Sequence, residues 1–369
     1  MVNTKDFYDY LKSKDLDFFV GVPDSLLKNL CACIKENSDS KHNIIAANEG
    51  NAIAIACGYH MSSNKYGVVY MQNSGLGNTV NPLLSLADED VYNIPMLLII
   101  GWRGEPGKKD EPQHVKQGKL TLPLLETMGI EYIILDENYK DAVDKCYNYM
   151  KKTNKPIALV IRKDTFDEYN ITKETSTYSL SREEALETII KELNDDEFIV
   201  STTGKTSREI FELREKLKEG HSNDFLTVGS MGHTASIAFG LSLNTNKKIY
   251  CIDGDGSFIM HMGSLAIIAQ NPSDNFKYIL INNGAHESVG GQPTIGFKIK
   301  IDEILKAVGF KNVYVATNTS EIKDAISKMK DNSMEALIIY TKQGSRKDLG
   351  RPTTTPIENK EALMKKIMQ

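Results

Sequence analysis

Short apolar runs recur along the chain. Each ends in a cluster of Gly, Asn, Asp or Ser, and most lead into a segment with helical spacing of apolar positions. Segment 3–15 places Phe7, Tyr10 and Leu11 on one side of an amphipathic helix. Runs at 17–20, 43–47, 67–71 and 95–100 read as strands, the last apolar enough for the centre of a parallel sheet. Helices are expected from Leu26, over 52–59 and over 80–86. After a long loop at 101–118, rich in Gly, Pro and charge, helices are expected near 119–128 and 139–152 and strands near 131–135 and 157–162. Residues 164–181 are polar and aperiodic, which places a linker at 169–180 between a first domain, 1–168, and a second, 181–369.

The second half repeats the alternation. A helix over 182–193 starts at Ser181, with Glu184 three residues on as a capping box. Strands are predicted at 198–201, 225–228, 248–252, 278–281, 312–316 and 336–340, with helices at 258–269, 301–308, 320–330 and 358–367. Strand and helix in alternation imply an α/β fold: two domains, each a parallel sheet flanked by helices. No repeat is visible residue by residue, although two similar α/β layers are implied.

A length of 369 residues suits two domains, and 41% hydrophobic with 25% charged residues is ordinary for a globular chain. The net charge of −5 argues against a general nucleic-acid binder. The start, MVNTKDFYDYLKSKD, lacks the basic and apolar regions of a signal peptide, and no apolar run reaches membrane-span length. Cys31, Cys33, Cys57, Cys146 and Cys251 are scattered and odd in number, as free thiols of a reducing compartment would be, so a cytoplasmic location is expected.

Candidate chemistry concentrates at strand ends. The run at 248–252 leads to Gly254-Asp255-Gly256-Ser257, and the run at 278–281 leads to Asn282-Asn283-Gly284. A carboxylate and an amide oxygen on neighbouring loops of one parallel sheet are hard oxygen ligands suited to Mg²⁺ beside phosphate oxygens. Gly256 permits close backbone approach to a phosphate, and Ser257 can donate to one. G-D-G alone is ordinarily a strand-to-helix turn; N-N-G one βαβ unit later gives it a ligand. Asp24 reads equally as an N-cap or a functional carboxylate, and Glu49 as a helix-dipole partner or something sharper. The glycine-rich stretch Gln72 to Asn78 is a candidate for binding a polar ligand. Loop 101–118 carries Arg103, Lys108, Lys109, His114 and Lys116. Neither a P-loop nor the G-x-G-x-x-G of dinucleotide binders is present.

Taken together, G-D-G and N-N, with a spacer about one residue longer than usual, resemble the cofactor signature of thiamine-diphosphate (ThDP) enzymes. The segments GVPDSLL, AANEGNA, VYMQNSGLGN, IGWRGEPGKKDEPQHVKQG, STTGKTSRE, NNGAHESVGGQPT and GSRKDLGRPTTTP extend the likeness over nearly the whole chain. They resemble most the phosphonopyruvate-decarboxylase branch of the ThDP-dependent 2-oxoacid decarboxylases. The resemblance implies a pyrimidine-binding domain followed by a diphosphate-binding domain, without the middle domain of larger members. It implies Asp255, Asn283 and the Ala285 carbonyl as ligands of Mg²⁺. Thr203, Gly204, Ser230, Gly256 and Ser257 would meet the diphosphate, and Met231 would lie under the cofactor rings, where its alternative is a core methionine. Asn73, Ser74 and Gly75 would lie near the pyrimidine. Glu49 would protonate the aminopyrimidine N1′, and Asp24, His114 and His286 would handle protons.

The implied reaction converts 3-phosphonopyruvate to phosphonoacetaldehyde and CO₂, in phosphonate biosynthesis. Arg103, Lys108, Lys109, His114, Arg346 and Arg351 are the candidates for the dianionic phosphonate, against solvated surface charge as the plain reading of any single lysine. A homo-oligomer with active sites between subunits is implied too. Sulfopyruvate decarboxylase is the nearest alternative, because a sulfonate would use the same cations. A non-catalytic ThDP-binding partner subunit is another, which the presence of both Glu49 and the G-D-G/N-N pair speaks against.

Overall fold

The computed structural model describes residues 1–169, 176–271, 273–330 and 333–369. Of the expected linker at 169–180, residues 170–175 lie outside the described residues. The chain forms two compact units, Met1–Lys173 with Val289–Gln292, and Glu174–Ser288 with Pro293–Gln369.

The first unit holds a six-stranded parallel sheet in the order β2-β1-β3-β4-β6-β5. Its strands are β1 (Phe18–Gly21), β2 (Asn43–Ile45), β3 (Gly67–Gln72), β4 (Met96–Gly101), β5 (Glu131–Ile134) and β6 (Ile157–Ile161). Every residue of β4 is buried, because helices cover both sheet faces. Side chains alternate between the two cores. Val68, Leu97 and Leu159 pack with Phe7, Leu30 and Val143 on one face. Val69, Leu98 and Val160 pack with Ile53, Leu83 and Leu125 on the other. A one-residue slip of register would exchange these sets, which is why the register is strongly specified.

The second unit contains β7 (Phe198–Ser201), β8 (Asp224–Leu226), β9 (Ile249–Gly254), β10 (Phe276–Asn282), β11 (Asn312–Ala316) and β12 (Glu335–Tyr340). Its parallel sheet runs β8-β7-β9-β10-β12-β11, strand for strand the order of the first unit. The repeat absent from the residues is therefore present in the topology. Ile199, Ile252, Ile279 and Leu337 face Leu186, Ile210 and Ile322. Val200, Cys251, Leu280 and Ile338 face Ala238, Leu265 and Leu305.

Element types follow the apolar pattern, and the differences cluster where strands hand over to helices. The helix expected from Leu26 begins at Lys28 and has no side-chain cap. Asp24 instead accepts from the Leu26 backbone N–H at 3.0 Å and from Gln72, which pulls the turn off helical geometry. Helix α3 (Glu49–Ser63) begins three residues early, capped by Asn48 accepting from Asn51 N–H, so Glu49 is its first residue. The stretch from Asn73 is helical rather than a loop: a 3₁₀ turn, helix Leu76–Pro82, and a π segment Leu83–Ala87 following Pro82. Helix α5 (Pro112–Thr127) starts with a proline at its first position and absorbs the second half of the expected loop, His114 included. Helix α8 (Lys205–Leu217) is absent from the expected elements and takes in the second half of the segment STTGKTSRE. The helix expected over 258–269 breaks in two at His261, whose backbone turns to φ −136°, ψ 40°. Helix Thr234–Ser242 has no counterpart in the sequence reading, since its run of small and apolar residues carries no 3.6-residue polar alternation.

Candidate cofactor and active site

In each sheet the direction of strand succession reverses between the first and third strands, and open α/β sheets bind ligands at the carboxyl end of that crevice. In the first unit the reversal lies between β1 and β3, which deliver Asp24 and Gln72. Asp24 is fully buried. Burial raises its carboxyl above the usual range, against the hydrogen bonds from Gln72 and Leu26 and the charge of Arg103. Arg103, leaving β4, donates through Nε to Asp110 at 2.8 Å and through Nη1 to Ser25 at 2.9 Å. A second hydrogen bond to Asp110 makes that pair bidentate. His114 is buried in the same cluster, with an Nδ1 that has no partner. Burial, then the nearby Arg103, lowers its pKa and keeps the ring neutral.

Glu49 is 5% exposed, and its Oε2 accepts from Asn78 Nδ2 at 2.7 Å. Its carboxylate lies across Gly75 so closely that any Cβ there would collide with it, which explains the glycine. Asn73 is buried, but its amide serves the fold, donating to the Arg103 carbonyl at 2.8 Å and to Thr121 at 2.9 Å. Ser74 is exposed and donates to Gln72 at 2.7 Å.

In the second unit the reversal lies between β7 and β9, whose ends bring Thr202 beside Gly254, the residue before Asp255. Thr203 and Gly204 form the turn into α8. Asp255 is 3% exposed and accepts from Thr294 Oγ1. Burial pushes its carboxyl up to about 6, despite hydrogen bonds from Thr294 and the Asp255, Gly256 and Asn283 backbone amides. No ion pair reaches it among the described residues. Asn283, at the end of β10, donates to Glu287 at 2.8 Å and accepts from the Ala285 N–H at 3.1 Å. Gly256 carries the His286 ring and the Met231 methyl over it; a Cβ would stand 2.9 Å from the ring and 3.2 Å from the methyl. Glycine at 256 thus serves side-chain packing as well as the phosphate approach expected of it. Burial lowers His286 to about 4, so it is neutral at physiological pH. Ser257 accepts from Gly232 N–H at 3.1 Å, and Ser230 holds a left-handed backbone, φ +50°, uncommon for serine.

These residues fit a hard divalent cation and a diphosphate. Asp255 is a buried acid without a counter-charge, and such a group is costly unless a cation completes it. Asn283 and the Ala285 carbonyl are neutral oxygen donors of the kind that accompany one carboxylate around Mg²⁺. Among the described residues no cluster of three or more His, Cys, Asp or Glu could hold a metal.

The cations expected on substrate divide into two groups. Lys108 and Lys109 are exposed on loop 102–111 and carry no ion pair among the described residues. Arg103 is committed to Asp110, and Arg346 to Glu183 at 2.9 Å, to Asp348 at 3.1 Å and to Glu212. Arg351 is exposed. Gln72, Asn78 and Thr294 were not singled out as site residues, although each contacts a candidate carboxylate. A strand-end glutamine pointing at an aspartate beyond the end of another strand leaves no mark in the sequence. Asn78 sits 29 residues from Glu49 and becomes its neighbour only through helix packing.

Comparison with known proteins follows the same division. The model of the N-terminal thiamine pyrophosphate (TPP) binding domain of TPP enzymes matches residues 1–123, and that of their C-terminal TPP binding domain matches residues 202–340. Phosphonopyruvate decarboxylase of Streptomyces viridochromogenes is 30% identical over 379 residues, covering 97% of this chain and 93% of its own. That of Streptomyces hygroscopicus is 30% identical over 378 residues, covering 97% and 92%. Sulfopyruvate decarboxylase of Methanosarcina acetivorans is 26% identical over 347 residues, covering 87% and 86%.

Proposed function

The chain belongs to the thiamine pyrophosphate enzymes as a 2-oxoacid carboxy-lyase, and on that premise we propose that its substrate is 3-phosphonopyruvate, decarboxylated to phosphonoacetaldehyde with Mg²⁺ as the metal. The likeness to two phosphonopyruvate decarboxylases over 97% of the chain carries this reading. We assign residues 1–168 to pyrimidine binding, 169–180 to the linker and 181–369 to diphosphate binding. The enzyme is a homo-oligomer with shared sites, and its five buried free cysteines suit a reducing cytoplasm.

ThDP, when bound, supplies the carbon nucleophile and the sink for the electrons released with CO₂. The chain orients, polarises and moves protons. Asp255, Asn283 and the Ala285 carbonyl hold Mg²⁺; Thr203, Gly204, Ser230, Gly256 and Ser257 receive the diphosphate, and Met231 supports the rings. Asn73, through its hold on the Arg103 loop, shapes the pyrimidine pocket together with Ser74 and Gly75. Glu49 holds the proton at the aminopyrimidine N1′. To His114 and His286, both neutral, and to Asp24, biased toward its protonated form, falls the giving or taking of a proton at the reacting carbon.

Lys108 and Lys109 are the phosphonate's first contacts. Arg103, Arg346 and Arg351 are further candidates, and each already has a partner within the chain. Replacing both lysines by alanine is expected to raise KM by about 2- to 30-fold with kcat little changed, since exposed ion pairs contribute about 0.2–1 kcal/mol each. Steady-state kinetics at low and high salt check this.

The sulfopyruvate decarboxylase relative supports a second reading, sulfopyruvate as substrate. The deciding experiment supplies the purified chain with ThDP and Mg²⁺ and compares CO₂ release from the two acids. A higher kcat/KM for phosphonopyruvate is expected. The opposite preference would replace the substrate, and no release from either would remove the decarboxylase reading.

A further inference from the structure

Asn283 is oriented by a buried charge network that no part of the cofactor signature includes. Its Nδ2 donates to Glu287 Oε2 at 2.8 Å. The same oxygen accepts from Arg182 Nη1 at 2.8 Å, and Glu287 Oε1 accepts from Lys205 Nζ at 3.0 Å. Arg182 is 5% exposed and also grips Glu209 with two hydrogen bonds of 2.7 Å. Two cations and two carboxylates thus balance inside the unit. They come from the first turn of helix α7 (Arg182–Glu192), the first two turns of α8 and the turn after β10. Burial works against the Glu287 charge, but Arg182 and Lys205 more than offset it and hold the carboxyl below its ordinary range.

The chemistry of the two ends of the Asn283 side chain makes its orientation unambiguous. A carboxylate can only accept, so the end facing Glu287 is the NH₂. The Ala285 backbone N–H can only donate, so the end facing it is the carbonyl oxygen. Turned by 180°, the amide would face Glu287 with oxygen, carboxylate against carbonyl, and would offer N–H groups to a cation. We propose that Glu287 is a positioning residue for metal binding: it holds the Asn283 amide so that Oδ1, not Nδ2, is presented to the metal, and Arg182 and Lys205 hold Glu287 in place for that purpose. The inference rests on the assignment of Asn283 as a metal ligand. Lys205 directly follows Gly204, so the network also ties the diphosphate loop to the metal ligand. Partners that orient a ligand in this way typically change metal affinity by about 10- to 100-fold when removed.

The test is a double-mutant cycle on the full chain, read by ThDP binding (isothermal titration) as a function of Mg²⁺ concentration, with no substrate present. Glu287→Gln keeps the volume, and Arg182 keeps its paired bonds to Glu209. The Mg²⁺ concentration needed for half-maximal ThDP binding is expected to rise by about 10- to 100-fold. The rise should be smaller with Ca²⁺, which tolerates irregular geometry that Mg²⁺ does not. Asn283→Ala should raise it as well, and adding Glu287→Gln to Asn283→Ala should change little further, because the first residue acts through the second.

Melting of each variant without cofactor checks the fold. Should Glu287→Gln unfold, Lys205→Met, on the half-exposed side of the network, takes its place in the cycle with a smaller expected rise. If wild type and Asn283→Ala behave as stated while Glu287→Gln binds like wild type, the positioning role is overturned and the metal assignment stands. Fully additive effects of the two substitutions also overturn it. If Asn283→Ala leaves the Mg²⁺ requirement unchanged, the metal assignment falls, and this inference with it.

Discussion

Glu49→Gln is expected to yield a folded protein that binds ThDP within a few-fold of wild type and turns over about 10²- to 10⁴-fold more slowly, the range that a positioned proton-transfer group contributes. The structural cost of the exchange is small. Gln is isosteric, Asn78 can still donate to its carbonyl oxygen, and the side chain still fits across Gly75. What would be lost is the role proposed for Glu49, holding a proton at the aminopyrimidine N1′. A carboxyl group at the first position of α3 also sits well with the helix dipole, so some loss of stability, about 0.3–1 kcal/mol, accompanies the substitution. Cofactor titration separates the two roles, since a helix-dipole partner would alter melting without altering kcat. Turnover near wild type would end the catalytic assignment. Asn78→Ala is the companion measurement: it leaves the carboxyl but removes its orienting hydrogen bond, and a loss well below that of Glu49→Gln is expected.

Most of the architecture was legible because strands buried on both faces read as uninterrupted apolar runs, as at 96–100 and 278–281. Junctions were less legible, and they are where the candidate site lies. Glu49 read as a loop residue before a helix, because the N-cap, Asn48 accepting from the Asn51 N–H, depends on a turn that apolar periodicity does not describe. His114 read as part of a long loop, although Pro112 at the first helical position marks the helix start. The cations of the site show a different gap. Arg103 and Arg346 carried the charge that a phosphonate needs, and sequence spacing gave no sign that Asp110, Glu183 and Glu212 would already neutralise them. Asp110 lies only seven residues from Arg103, but Glu183 stands 163 residues from Arg346. Likewise, Glu287 was noted as part of a motif, while its partner Arg182 lies 105 residues away in a helix marked in the sequence only by its capping box. Pairings of that range are made by the fold and leave no local signal.

The largest effect on the holoenzyme should come from Asp255→Asn, which is expected to remove Mg²⁺-dependent ThDP binding while making the cofactor-free chain more stable. The two outcomes have one cause. The Asp255 carboxyl is pushed up to about 6 because it is buried without a cation. A carboxyl whose folded-state pKa exceeds its unfolded value binds its proton more tightly when folded. Stability is therefore lost as pH rises from the ordinary carboxylate range through about 6, and the cost stays in full above that. A shift of this size corresponds to roughly 3 kcal/mol at neutral pH, an upper bound because water can reach the site of a cofactor-free protein. Asn carries no charge to desolvate, and its oxygen can still accept from Thr294 and the backbone amides. The cofactor-free variant should accordingly melt above wild type at pH 7 and close to it at pH 4. Addition of ThDP and Mg²⁺ should raise the melting temperature of wild type and leave that of the variant unchanged, since a ligand stabilises only the fold that binds it. A variant that melted below wild type at pH 7 and still gained stability from ThDP and Mg²⁺ would show that Asp255 is an ordinary structural carboxylate. On the assignment of Asp255 as a metal ligand proposed above, the same instability is relieved when a cation binds, because the cation supplies the counter-charge that the buried carboxylate lacks.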